Sequence, residues 1–305
     1  MYGWIGKSEY TEGAPGMFSA YIVWYLFFAG VGSGCFVVAT IGGIYDAHKS
    51  TLASEELYLR LQNGFILAPV CMIAASLFLL LDMGDVTRVW QALLMPFRSI
   101  VSLGAWFVVL FTFLTSFLAL CGLFLKAIPR VLLYTCWTGG LVLAFSTMGY
   151  TGILLSSLIS IDFWYTWLLP LLFIVSSLST GVAAVLLIDA VFGLNASVAL
   201  SSLWNSALIF GVLEVMCLAV FFVDRFLFSE TARQSCVLLF FGDLAPWFWI
   251  GIFGCGIVLP LFIHVLYHKI PEPGMILSAS MAVLVGGFCI RYCIVEAALY
   301  SPVIL

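Results

Sequence analysis

Four polar side chains lie within apolar stretches of the sequence or, for Asp82, at the end of one: Asp82, Tyr150, Glu214 and Arg291. A phenol and a carboxylate just below a membrane surface can hydrogen-bond a quinone carbonyl and relay its protons. A charged side chain at membrane depth costs at least ~2.5–3.5 kcal/mol on insertion scales, so Arg291 requires a partner or a water path. The four residues are therefore candidates for redox and proton chemistry if the chain spans a membrane.

The composition indicates a membrane protein with several spanning helices. Of the 305 residues, 64% are hydrophobic and 9% are charged, with a mean hydropathy of +1.19, whereas soluble domains carry about 25% charged residues. The net charge of −4 gives no support for nucleic-acid binding, and we expect lipid as the surrounding medium. The first 16 residues lack the basic-then-apolar order of a signal peptide, so we expect a retained tail.

Eight stretches are long enough to span a bilayer as helices, which requires about 20 mostly apolar residues. Because backbone groups in lipid must be satisfied internally, the predicted fold class is an all-α polytopic membrane protein. An even number of spans places both termini on one side, here called side A, and the opposite side is side B. The predicted spans are 17–45, 63–83, 99–125, 131–157, 164–190, 203–223, 240–267 and 276–299.

The loops give no orientation, because lysine and arginine are equally frequent on the two sides, five against five. A weak internal repeat relates Ser33-Gly34 of the first span to Ser179-Thr180-Gly181 of the fifth. It predicts two four-helix bundles, residues 1–157 and 158–305. Chance similarity explains the repeat equally well, because membrane helices are built from few apolar residue types. The small residues Ala29 to Gly34 predict close approach of another helix.

Glu214 and Arg291 have similar predicted depths. Glu214 lies eleven residues into the sixth span, roughly 17 Å from side B, and Arg291 lies fifteen into the eighth, roughly 22 Å. The two residues are therefore predicted to pair, either as a structural feature or, with Glu296, as part of a proton path through the second bundle.

A second set of polar residues is predicted near side A. Asp82 ends the second span, Tyr150 lies about seven residues from the end of the fourth, Ser19 and Tyr21 begin the first, and Arg88 follows the second. This set is predicted to form a quinone site with Tyr150 and Asp82 as the reactive pair. An interfacial belt position for Tyr150 and a loop carboxylate for Asp82 are the alternatives.

Metal ligation is not predicted. Nine cysteines are present without a Cys-x-x-Cys pair, and the three histidines are His48, His264 and His268. A haem requires axial ligands within helices, whereas His264 and His268 lie at the loop end of a span. We expect no haem, no iron–sulfur cluster and no other metal in this chain.

Several stretches, in order along the chain, resemble the NrfD/PsrC family of quinone-interacting membrane anchors. Glu214 and Arg291 also match charged positions in the family's sixth and eighth helices, and the resemblance covers about residues 17 to 302. The stretches are Tyr25-Leu26-Phe27 through Gly34, Leu81-Asp82-Met83 through Trp90, Ser102-Leu103-Gly104-Ala105-Trp106, Tyr150-Thr151-Gly152 through Ser156, and Leu169-Pro170-Leu171-Leu172-Phe173.

The resemblance implies a subunit of an anaerobic-type respiratory oxidoreductase in a prokaryotic inner membrane. It would exchange electrons between menaquinone or ubiquinone and a four-cluster, ferredoxin-like iron–sulfur subunit, which contacts a molybdopterin or multihaem catalytic subunit. Tyr150 matches the family tyrosine at the quinone pocket, and Asp82 matches a position that is often acidic or histidine. The chain would supply the quinone site but not the catalytic centre of the complex. A secondary transporter with a charged site at the midplane is the alternative, because repeats and broken helices suit that class too.

Overall fold

The computed structural model describes residues 20–49, 54–84, 94, 100–124, 129–192, 197–267, 269 and 272–299. Within these residues, eight helices are long and apolar enough to cross a membrane. The prediction of an all-α polytopic membrane protein with eight spans is confirmed. The division at residue 157 into two four-helix bundles stays a prediction.

The helices agree with the predicted spans except around residues 230–246. Helices α1 to α6 are the first six spans, π1 followed by α8 is the seventh, and α9 is the eighth. Their bounds are α1 Ala20–Lys49, α2 Ser54–Met83, α3 Ile100–Phe124, α4 Arg130–Ser156, α5 Leu168–Phe192, α6 Ser197–Phe228, α7 Glu230–Phe241, π1 Trp247–Val258, α8 Leu259–Tyr267 and α9 Pro273–Glu296.

The short helix α7 occupies a region predicted as a side A loop, and the seventh span begins at Trp247 rather than at residue 240. With 12 residues, α7 is roughly 18 Å long, too short to span a bilayer, and therefore escapes a search for spans. Its first turn is capped by the Ser229 hydroxyl, which accepts a hydrogen bond from Ala232 N at 3.1 Å.

Two loops assigned to side A are held together by a polar cluster. Arg225, at the end of α6, donates to the carbonyl oxygens of Asp162 at 2.8 Å and Tyr165 at 2.9 Å, and it is paired with Asp224. Ser229 donates to the Asp162 carboxylate at 2.8 Å. The end of α6 and the loop before α5 therefore lie at the same end of the helices, as the alternation of spans predicted.

Helices α1 and α5 form the centre of the molecule. Helix α1 packs against α2, α4, α5 and α9, and α5 packs against α1, α4, α6 and α9. The contact between α1 and α5 is backbone to backbone, because a side chain added at Gly34 would overlap the Ser177 carbonyl and Gly181. The close approach predicted from the small residues of α1 is therefore confirmed, and the two glycines related by the repeat touch each other.

The seventh span begins as a wide π-helical segment, π1. The Leu259 amide donates to the Gly254 carbonyl, five residues back, and Pro260 follows with no amide hydrogen to donate. Glycines give the segment little side-chain bulk, and Gly256 contacts Gly286 of α9 through backbone atoms. Wide π turns are rare and often occur at functional sites.

Candidate functional site

Tyr150 lies in the last turns of α4, six residues before the helix ends at Ser156 and thus roughly 9 Å below its side A end. Its side chain is buried. The ring lies across Gly104 of α3, where an added Cβ would overlap the ring carbons and the hydroxyl. The absence of a side chain at Gly104 therefore creates the space that the Tyr150 ring occupies.

The Tyr150 hydroxyl is held loosely. It lies 3.5 Å from the Val101 carbonyl oxygen, whereas O–H···O hydrogen bonds are usually about 2.5–3.0 Å long. Phe107 packs edge-on against the ring, with centroids 6.4 Å apart. The ring is thus fixed by packing, and the hydroxyl retains most of its capacity to donate and accept hydrogen bonds.

Tyr25 of α1 is a second buried phenol near Tyr150 that sequence reasoning did not select. The two hydroxyl groups are close enough to interact electrostatically, and Tyr25 is fully buried. A signal was present, because Tyr25 is a tyrosine inside an apolar helix, one turn after Tyr21.

The structure places Tyr21 and Asp82 at neighbouring levels on adjacent helices. Tyr21 stacks on Phe78 of α2 at a centroid distance of 6.4 Å, and Asp82 lies one turn further along α2 in a half-buried position. Tyr21 and Tyr25 lie one turn apart on the same face of α1. Helix α1 therefore carries one tyrosine beside α2, near the level of Asp82, and a second near Tyr150 of α4. Ser19 and Arg88, which were also predicted for this site, lie outside the described residues.

Arg291 is buried where α9 meets α1 and α5. Its guanidinium donates four hydrogen bonds, to Leu26 O at 3.2 Å, Ser176 Oγ at 3.1 Å, Ser177 Oγ at 3.1 Å and Gly287 O at 2.7 Å. The guanidinium also packs against Gly30 and lies 5.9 and 5.7 Å from the ring centroids of Phe27 and Phe173. Arg291 therefore crosslinks α1, α5 and α9 at membrane depth.

The predicted pairing of Glu214 with Arg291 is indirect. Within the described part of the chain, no Arg291 nitrogen lies within 4.0 Å of a Glu214 oxygen. Ser176 lies beside the Glu214 carboxyl group and accepts the hydrogen bond from Arg291 Nη1. The matching depths are thus real, but a serine of α5, which depth estimates cannot reveal, separates the two charges.

One oxygen of Glu214 has an unused acceptor capacity. The side chain is buried, and its Oε1 atom has no hydrogen-bond partner among the described residues. Glu296, the third residue of the predicted proton path, ends α9 about 7.5 Å from Arg291 toward side A and lies near Tyr292.

Comparison with known proteins assigns the family. A model of the family described as "Polysulphide reductase, NrfD" matches residues 9–302. The chain belongs to the NrfD family. This NrfD-family chain is 29% identical over 297 residues to a polysulfide reductase chain of Wolinella succinogenes, and the match covers 90% of this chain and 91% of that protein.

Two further relatives are more distant or match over a shorter length. A selenate reductase subunit of Mesobacillus selenatarsenatis is 24% identical, over 92% of this chain and 74% of the relative. Protein NrfD of Escherichia coli is 30% identical over 52% of this chain and 50% of the relative. The match along nearly the whole chain confirms the predicted family, and the eight spans make this NrfD-family chain an integral inner-membrane protein.

Proposed function

We propose that this chain provides the site at which a membrane quinone exchanges electrons with a respiratory reductase complex. The observation that supports it most directly is Tyr150, a buried phenol below the side A ends of α3 and α4 whose hydroxyl is only weakly engaged. Two relatives are by name parts of a polysulfide reductase and a selenate reductase, which favours the same class of complex here.

The residues at side A fit a quinone chemically. Oxidised quinone presents carbonyl acceptors and quinol presents hydroxyl donors, and a phenol such as Tyr150 serves both. The Asp82 carboxylate is a proton acceptor one turn beyond Phe78, whose ring already stacks with Tyr21. Menaquinone and ubiquinone meet these requirements equally.

In the direction of quinol oxidation, each quinol loses two protons and two electrons. Tyr150 orients one quinol oxygen by hydrogen bonding, and Asp82 accepts protons and passes them toward side A. The electrons go to a ferredoxin-like iron–sulfur subunit docked at side A, and from there to a molybdopterin or multihaem catalytic subunit. Quinone reduction reverses each step. Ser19 and Arg88 are proposed as further quinone contacts.

Tyr150→Phe in the intact complex tests the proposal through steady-state quinol kinetics. Loss of the hydroxyl removes a hydrogen bond of about 1–1.5 kcal/mol, so kcat/KM for quinol should fall by about five- to tenfold. Tyr134→Phe is the matched control, because Tyr134 lies on the same helix at the side B end and is 44% exposed, whereas Tyr150 is buried. Unchanged turnover and apparent affinity in Tyr150→Phe would remove this residue from the site.

We also propose that Glu214, Arg291 and Glu296 belong to a proton path through α6 and α9. The Glu214 Oε1 acceptor, which has no hydrogen-bond partner among the described residues, favours this over a purely structural pair. Glu214→Gln in reconstituted complex should lower the number of protons translocated per electron. Glu230→Gln on the exposed face of α7 is the control. An unchanged ratio would contradict the proton role, and solute uptake by the isolated protein in liposomes would support a secondary transporter instead.

A further inference from the structure

A cavity of about 40 Å³ lies between α5, α6, π1/α8 and α9. It reaches from the side B ends of α6 and α8, at Trp204 and His264, to the middle of α5 and α6, at Ser179 and Gly211. A buried water needs about 10–15 Å³ of such space, so the cavity has room for roughly three waters.

Several polar atoms at this cavity require partners that the described protein atoms do not provide. Trp204 Nε1 and Ser280 Oγ, both from cavity-lining residues, have no hydrogen-bond partner among the described residues, and neither does the nearby Glu214 Oε1. All three side chains are more than nine-tenths buried. Leaving such a group unsatisfied costs about 1–3 kcal/mol, and ordered water removes the cost because a buried water typically bonds about two to four polar groups.

The sequence explains why the space exists. Gly211 presents no side chain to the cavity, and a Cβ added there would meet no atom within 4 Å. On the opposite wall, the π-helical turns of π1 end next to Pro260, and Gly256 also lacks a side chain. The seventh span therefore leaves space beside α6 at the level of Gly211 and Val215.

Glu214 lies next to the inner end of this space, although it is not among the lining residues. Gly211 and Val215, three residues before and one residue after it, line the cavity, and so does Ser179, which lies beside the Glu214 carboxyl group. Beyond Glu214 the polar contacts continue through Ser176 to Arg291, which donates to the Leu26 carbonyl of α1. Leu26 follows Tyr25, the neighbour of Tyr150.

We propose that this cavity is a water-filled chamber that connects Glu214 with side B. The stacked rings of Trp204 and His264, whose centroids are 4.9 Å apart, lie at its outer end. The proposal rests on the proton role proposed for Glu214 and adds the side from which the proton arrives. Arg291 then continues the polar connection from the chamber to α1.

Radiolytic hydroxyl labelling of the intact complex in membranes tests for this water, because radicals formed from internal water oxidise adjacent methionine. Val215→Met introduces a reporter that faces the chamber at the level of Glu214. Native Met216, the next residue, is 60% exposed and points to lipid, so it is a matched control in the same peptide. The introduced methionine should be oxidised several-fold faster than Met216, and adding Gly211→Leu, which fills the chamber, should abolish the difference.

Two results would overturn the proposal. Oxidation of the introduced methionine no faster than that of Met216 would mean a dry cavity, and a rate unaffected by Gly211→Leu would mean that water arrives by another route. If Val215→Met prevents assembly, the volume-conserving Leu208→Met gives the same comparison nearer to side B. Labelling requires no turnover, so a hydrated chamber with an unchanged proton ratio in Glu214→Gln would contradict only the proton role.

Discussion

Arg291 is accommodated at membrane depth by hydroxyl and carbonyl oxygens, and no carboxylate of the described residues pairs with it directly. Arginine has five N–H donors in a fixed planar arrangement, and four hydrogen bonds connect them to α1, α5 and α9 itself. A lysine could not reproduce this geometry, because its single ammonium group cannot reach oxygens on three sides at once. Arg291 is thus a crosslink of the helix core as well as a charge.

Replacing Arg291 should destabilise the protein strongly. Arg291→Met leaves two serine hydroxyls and two carbonyl oxygens without their hydrogen-bond donor. Each buried group left unsatisfied costs about 1–3 kcal/mol, so the total loss should be several kcal/mol. Arg291→Lys should give an intermediate loss. Unfolding of the purified protein in detergent measures the effect, with Arg233→Met on the exposed face of α7 as the control. An Arg291→Met protein as stable as the control would contradict the crosslinking role.

The sequence located these residues better than it located their contacts. Charges and phenols in apolar runs are visible from composition and spacing, so Asp82, Tyr150, Glu214 and Arg291 could be selected. The role of Ser176 could not be predicted, because serine is common in membrane helices and its bond depends on which face of α5 meets α9. Tyr25 was missed for a similar reason, since its relevance rests on proximity to Tyr150 in space.

At the scale of helices, glycines determine which elements come into contact. Gly104 allows the Tyr150 ring to lie across α3, and Gly34 with Gly181 allows the backbones of α1 and α5 to touch. The small residues of α1 predicted a close approach but not the identity of the partner helix. The π-helical start of the seventh span was also not predictable, because hydrophobicity and length do not distinguish π from α turns.

Gly104→Ala should displace the Tyr150 ring without removing any polar group. We expect a higher KM for quinol together with a folded, assembled complex, because a ring at the end of a side chain can move where backbone cannot. Quinol titration of turnover is the measurement. Gly139→Ala is the control, since a Cβ there meets only Leu114, at 3.9 Å. Wild-type quinol affinity in Gly104→Ala would argue that the position of this ring is irrelevant to binding.

Gly34→Ala tests the packing of α1 on α5 separately. The added methyl group would overlap the Ser177 carbonyl, which is backbone and cannot rotate away. Overpacking of this kind costs about 1–3 kcal/mol, so the unfolding temperature of Gly34→Ala should fall well below that of Gly149→Ala, whose Cβ meets Ile174 at an ordinary 3.7 Å. Equal unfolding temperatures would contradict the backbone contact.

At the scale of the whole molecule, α1 and α5 connect the two halves of the chain. Hydropathy sufficed to predict eight spans, their order and their alternating direction, because the bilayer imposes one length on every spanning helix. It could not predict which spans are neighbours, nor that Ser176 of α5 lies between Glu214 and Arg291.

The location of the quinone is the property that most directly distinguishes the proposed function from its alternatives. A photoreactive quinone analogue bound to the intact complex in membranes, followed by mass-spectrometric mapping, reports it. We predict adducts on the side A turns of α1 to α4, near Tyr25, Phe78 and Tyr150, which native quinone competes away and Tyr150→Phe weakens. Competable adducts located instead in the chamber between α6 and α8, or nowhere on this protein, would contradict a quinone site at Tyr150.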